Sequence, residues 1–165
     1  MSTSRRFALS CLVWTAFAPT APIAAQTTTA TLSANVSPIA KLTLSTSSIS
    51  FPDADPDAVP QIPAAGGPLL ISAKARATAG AMVVLSVQAS DDLRSGVNVI
   101  PASNITWTAT GPGFISGTLA RSSMTVATWI GSGIRSGSQQ FFLRNLWTHP
   151  TGTYTLTMIY TLSTP

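Results

Sequence analysis

Thr153-Tyr154-Thr155-Leu156-Thr157-Met158-Ile159-Tyr160-Thr161-Leu162 alternates without a break. Tyr154, Leu156, Met158, Tyr160 and Leu162 fall on one side of an extended chain, and Thr153, Thr155, Thr157, Ile159 and Thr161 on the other. Successive side chains of a strand point to opposite faces, so this pattern predicts a half-buried strand with one core face and one β-branched face. Ile105, Trp107 and Ala109 alternate with Thr106, Thr108 and Thr110 in the same way. Threonine suits a pleated surface that meets water.

The same period extends through the chain. Strands are predicted at Ala30–Val36, Ile39–Leu44, Leu69–Ala77, Met82–Gln88, Phe114–Leu119, Met124–Ile130 and Gln140–Leu146, which brings the total to eight or nine. Ala79-Gly80, Ser95-Gly96, Gly111-Pro112-Gly113, Gly131 to Gly137 and Pro150-Thr151-Gly152 supply the breaks where hairpins or corners are needed. No helical period emerges. Many short strands at this spacing predict an all-β, antiparallel β-sandwich with Greek-key, jelly-roll or Ig-like connections. Pro52 to Pro68 holds five prolines and Gly66-Gly67, and reads as an extended crossover loop within one domain. A closed outer-membrane barrel is the architectural rival. The sparse aromatics and the ending Leu162-Ser163-Thr164-Pro165, without a terminal aromatic, count against it.

Met1 to Arg6 form a short polar start with two arginines, followed by an apolar run from Phe7 to Ala18 and then small residues up to Ala25. This is the layout of a secretory signal peptide over 1–25, leaving a single β-sandwich domain over 26–165. Ser4-Arg5-Arg6-Phe7-Ala8-Leu9 also has features of a twin-arginine signal, so the export route stays open between the two. Ala8-Leu9-Ser10-Cys11 has the form of a lipid-attachment box, but its apolar run follows the cysteine instead of preceding it. The expected location is outside the cytoplasm, in the periplasm or at the cell surface.

The chain has 165 residues, of which 45% are hydrophobic and only 8% charged. Average soluble domains carry about 25% charged residues, so Ser, Thr, Asn and Gln must keep this surface wet, as in secreted and surface proteins. Removing Arg5 and Arg6 with the leader leaves seven basic residues against five acidic ones. Lys41, Lys74, Arg76, Arg94, Arg121, Arg135 and Arg144 are scattered along the sequence, without the clusters and interleaved aromatics that nucleic-acid binding requires. Nucleic acid is therefore not an expected partner, and the mature chain is expected to have no transmembrane segment. Cys11 lies in the leader, so the mature domain has no disulfide, thiolate ligand or cysteine nucleophile and depends on its core.

The parts of common active sites are sparse. His149 is the single histidine, there is no Glu, and no serine stands in a G-x-S-x-G elbow. His149 before Pro150 reads as a turn residue, and Asp91-Asp92 as a turn and cap. Asp53-Ala54-Asp55-Pro56-Asp57 resembles the start of a calcium loop, but Ala58 and Ala64 stand where an EF-hand needs Gly and Glu. An acidic loop with Asx turns is the preferred reading, with a looser calcium site left open. Asn35-Val36-Ser37 and Asn104-Ile105-Thr106 match the glycosylation sequon inside predicted strands. Trp107, Trp129 and Trp147 present two alternatives, a carbohydrate-binding face or, as their period-two placement favours, core packing. No catalytic, cofactor or metal-ligating residue is assigned.

Gly152 to Leu162, followed by Pro165, resembles the C-terminal strand of WxL-type bacterial surface domains, with Tyr160 in place of the motif's tryptophan. Trp107-Thr108-Ala109 corresponds to the other W-x-L, with Ala109 for leucine. The resemblance implies an exported β-domain held non-covalently on the cell wall of Gram-positive bacteria. The Gly-x-Tyr ending and alternating strand are also similar to secreted pilus and spore-coat-like subunits, which polymerise by donating a strand and usually carry a disulfide. Together with the composition, these resemblances lead to the expectation of a secreted, non-enzymatic, structural or adhesive surface protein. Its expected partners are a cell-wall or surface polysaccharide, which would make it a glycan- or peptidoglycan-binding module, or copies of itself joined by strand addition. A small secreted hydrolase using His149 is the distant alternative.

Overall fold

The computed structural model describes residues 26–164; the expected leader over 1–25, with Cys11 and the arginine pair, lies outside the described residues. The chain divides after Ala34. In the first unit, residues 26–34 are exposed and hold no strand. The strand expected over Ala30–Val36 is therefore absent. Alternation permits a strand, but an isolated extended segment leaves its backbone donors and acceptors without partners and does not persist as a ladder.

The second unit is an antiparallel β-sandwich of eleven strands. They are β1 (Ile39–Leu44), β2 (Gln61–Pro63), β3 (Leu69–Arg76), β4 (Met82–Ala89), β5 (Leu93–Ser95), β6 (Asn98–Ile100), β7 (Ile105–Thr110), β8 (Gly117–Thr118), β9 (Met124–Ile130), β10 (Gly133–Arg144) and β11 (Met158–Ser163). One sheet runs β1-β3-β10-β7-β8, with β2 also paired to β10; the other runs β11-β4-β9, and β5 and β6 form a separate hairpin. The count exceeds the expected eight or nine because β2, β5, β6 and β8 are only two or three residues long. Strands that short show no periodicity in the sequence.

Period two becomes core packing in the longer strands. Leu69, Ile71, Ala73 and Ala75 of β3 are buried, as are Val83, Leu85, Val87 and Ala89 of β4. Between the sheets they meet Ile105 and Trp107 of β7, Phe141 of β10, and Val126 and Trp129 of β9. Each large aliphatic or aromatic side chain buried in this way contributes about 1.5–3 kcal/mol. The outer face of the larger sheet keeps the hydroxyls: Thr110 of β7 and Ser138 of β10 face each other with their oxygens 2.7 Å apart.

β10 differs most from expectation. It starts at Gly133, not Gln140, and takes in most of the stretch read as a turn. Gly137 sits mid-strand because the neighbouring chain needs the space: a Cβ there would lie 2.5 Å from the Phe114 ring and 2.6 Å from the Thr110 carbonyl oxygen. Glycine in a strand marks such an approach as readily as it marks a turn. The expected Phe114–Leu119 strand is likewise split. Ile115 N–H donates to the Val126 carbonyl of β9, while Gly117 and Thr118 return to β7 in the other sheet. This crossing segment closes one flank of the sandwich.

The other flank is bordered by β1 and β11, which lie against each other without pairing. β11 begins at Met158, five residues later than the alternation that starts at Thr153, since Thr155 makes an isolated bridge to Arg94 instead. Leu42 and Leu44 of β1 and Met158, Tyr160 and Leu162 of β11 are only half-buried against the core.

Candidate functional site

Three places bring chemistry-bearing residues together. The first is the acidic loop. Asp55 folds it locally: its carbonyl accepts from Ala58 N–H and Val59 N–H, and its Oδ1 accepts from Asp57 N–H at 2.9 Å, an Asx turn. Asn145, just past the end of β10, anchors the loop from outside by donating through Nδ2 to the Ala54 and Val59 carbonyls at 2.9 and 3.1 Å. Trp147 Nε1 donates to Asp57 Oδ1 at 3.0 Å, which fixes an indole that is otherwise 70% exposed. Asp55 and Asp57 are thus engaged within the loop and by Trp147, and among the described residues no group of three or more His, Cys, Asp or Glu is arranged to hold a metal ion.

Two residues beyond Trp147 in the chain stands His149. Asn104 Nδ2 and His149 Nε2 are hydrogen-bonded at 3.2 Å. Partial burial, reinforced by the Arg144 charge, pushes the imidazole below its ordinary value and keeps it neutral at pH 7. Tyr154 donates to the Pro150 carbonyl at 2.7 Å, so the turn after His149 is tied down. The histidine joins two loops, in keeping with the turn residue read from the sequence. Asn104 itself lies in a 3-10 turn before β7, and Asn35 in an unpaired segment before β1, so neither sequon begins inside a strand as expected.

The tryptophans separate into two classes. Trp107 and Trp129 are buried between the sheets, and Trp107 Nε1 donates to the Ile115 carbonyl at 2.9 Å. A shared sugar-binding face of all three is overturned, because two of the rings are core. Arg135 lies 5.9 Å from the Trp129 ring centre, a cation–π contact. Trp147 alone of the three offers its surface to solvent.

The second place is the centre of the sandwich, where Tyr160 of β11 reaches across to β10 and donates to Gln139 Oε1 at 2.6 Å. Gln139 is fully buried, and its Nε2 has no partner. Burial pushes the Tyr160 phenol well above its ordinary value. This link was not legible in the sequence, since Gln139 falls between the stretch read as a break, Gly131 to Gly137, and the strand expected over Gln140–Leu146. Asp91 and Asp92 act as expected of a turn. Asp91 accepts from Arg94 Nε at 2.6 Å, and Asp92 Oδ1 accepts from Ala102 N–H at 2.8 Å. The Arg94 hydrogen bond, with help from the Asp92 backbone, holds the Asp91 carboxyl below its usual range.

The third place is the open flank. β1 follows Pro38 and carries Lys41, both of which discourage pairing at an edge. β11 has no charge, proline or bulge between Met158 and Ser163 on the side away from β4. Elsewhere, a cleft of about 280 Å³ between the Ser45–Ser48 turn and Ala65–Pro68 is lined by hydroxyls, backbone and apolar side chains. No family model matches the chain, and no curated protein matches it.

Proposed function

We propose that this is a secreted, non-enzymatic structural component of a cell surface that assembles by strand addition. Two observations carry the reading: a segment with a strand's alternation that forms no strand, and a sheet edge without a partner. Thr28, Ala30, Leu32, Ala34 and Val36 alternate with Thr29, Thr31, Ser33 and Asn35, yet residues 26–36 form no strand pairing among the described residues, and Leu32 is 97% exposed. β11 offers the complementary ladder, an uncharged edge above half-buried Met158, Tyr160 and Leu162. Adding residues 28–36 of one copy to β11 of another would satisfy both backbones and cover both apolar faces.

The test is sedimentation of the processed protein over a range of concentrations, with and without deletion of residues 26–36. The intact protein is expected to form oligomers without any ligand, and the deletion variant to remain folded but to associate more weakly. Equal behaviour of the two would end the strand-addition reading.

Trp147 favours a second reading, a glycan-binding module. A rigid, exposed indole beside carboxylates suits a sugar ring, whose C–H face packs on the aromatic plane while its hydroxyls donate to Asp. Pelleting with peptidoglycan sacculi, lost in Trp147→Ala without a change in the circular dichroism spectrum, is the result expected for that reading. Pelleting without sacculi favours assembly.

A further inference from the structure

The outer face of the larger sheet carries a feature that strand addition does not use. Lys41 of β1 stands directly opposite Lys74 of β3, and Ile134 of β10 flanks Lys74 on its other side. Two residues along, Arg76 stands opposite Ile39. These five side chains line an open groove of about 360 Å³. Ile39 and Ile134 are 62% and 61% exposed. Like charges directly opposite in a ladder are unfavourable, and the ion pairs found among the described residues, Arg94 and Arg121 with Asp91, involve none of these cations. Three of the seven basic residues beyond the leader thus converge on one groove with no carboxylate within ion-pair distance. Its chemistry calls for an occupant that is acidic and partly apolar.

The same chain carries such a surface at the far end of β10. The groove touches the first residues of that strand, whereas the acidic loop is anchored by Asn145 immediately after its last. From Ile134 to Arg144 the strand spans roughly 33 Å at about 3.3 Å per residue. At that far end stand Asp53, Asp55 and Asp57, all exposed, with the exposed indole of Trp147 fixed to Asp57. Three carboxylates and one aromatic face answer three cations and two isoleucines. The separation prevents one copy from joining its own two poles. A twofold dimer through either pole would oppose like charges, whereas a head-to-tail contact opposes unlike ones and, repeated, gives an open chain.

We propose that the Lys41–Lys74–Arg76 groove of one copy receives the Asp53–Asp57 loop and Trp147 of a second copy, so that copies stack head to tail along the axis of β10. The loop is already ordered by its Asx turn and by Asn145, so docking it costs little conformational entropy. This contact deepens the assembly reading but is separable from strand addition, because deleting residues 26–36 leaves all six charges in place.

The experiment compares self-association of the processed protein with that of two charge-reversed variants. One carries Asp53→Lys, Asp55→Lys and Asp57→Lys and is basic at both poles; the other carries Lys41→Glu, Lys74→Glu and Arg76→Glu and is acidic at both. All six positions are exposed, and unchanged circular dichroism spectra verify the fold. Should the lysine variant misfold, Asp53→Asn, Asp55→Asn and Asp57→Asn replaces it, since Asn keeps the Asx turn.

Each variant alone is expected to associate about tenfold more weakly or worse at low salt, and an equimolar mixture of the two reversed variants to recover association, because each then supplies the pole the other lacks. Association of the unaltered protein should also weaken as salt shortens the screening length from about 10 Å at 0.1 M. A reversed variant that assembles normally, or a mixture no better than its components, overturns the contact. Assembly lost on deleting 26–36 but untouched by charge reversal overturns it while sparing strand addition. Assembly undiminished by the deletion but lost on reversal upholds it and removes strand addition instead.

Discussion

Replacing Trp107 with alanine is expected to cost about 3–5 kcal/mol, the largest loss from any single truncation in the core. The ring is 2% exposed, lies 6.2 Å from the Phe141 ring centre, and donates to the Ile115 carbonyl of the crossing segment. It also fills the space that Gly117 leaves, where a Cβ would stand 2.6 Å from the indole. Truncation opens a cavity, strips a carbonyl of its donor and loosens the segment that closes one flank. Domains of this size are stable by about 5–15 kcal/mol in all, so the variant should unfold at a much lower urea concentration. Trp147→Ala is the control: its ring lies at the surface, and its loss should cost within about 1 kcal/mol. Equal urea midpoints for the two variants, followed by circular dichroism, would show that Trp107 does not hold the flank.

The second large effect concerns Tyr160 and alkaline pH. Tyrosine in an unfolded chain loses its proton near pH 10, whereas burial keeps the Tyr160 proton on until much higher pH. The native state thus holds a proton that the unfolded chain releases. The contribution is fully present below about pH 10 and is lost as pH rises from there, by up to about 1.4 kcal/mol per pH unit. Tyr160→Phe removes this dependence but leaves Gln139 Oε1 without its donor in a dry core, which should cost about 1–3 kcal/mol at pH 7. Adding Gln139→Leu takes away both polar partners and should restore most of that loss. Urea titrations at pH 7 and between pH 9 and 11 for the three proteins check the chain of reasoning. A pH slope that is the same in Tyr160→Phe as in the unaltered protein would assign alkaline destabilisation to other groups.

Much of the sandwich was legible because most of its longer strands, β10 apart, show a plain one-face burial pattern. Ile39–Leu44 and Met124–Ile130 match their predicted bounds, and β3, β4 and β7 do so within a residue. The errors share one physical cause: the sequence shows which face a strand would bury but not whether a neighbour exists. Residues 30–36 have a strand's pattern and no partner among the described residues, while Gly133–Gly137 have a turn's composition and partners on β3. The site was less legible still. Lys41, Lys74 and Arg76 look scattered along the chain and become a cluster only when β1 and β3 pair in register. Trp147 could not be told from Trp107 and Trp129, because exposure depends on where the loop after β10 turns.

The position of β10 in the sequence governs the order in which the molecule can form. This strand is the axle of the larger sheet, joined to β2, β3 and β7, yet it ends at residue 144 of 165. Its partners begin as far back as residue 61, so their ladders wait on closing loops of tens of residues. Pairings of such long range form slowly. The β1–β3, β5–β6, β7–β8 and β4–β9 ladders can form without it, but β2, β3 and β7 stay separate pieces with open edges until β10 arrives to join them.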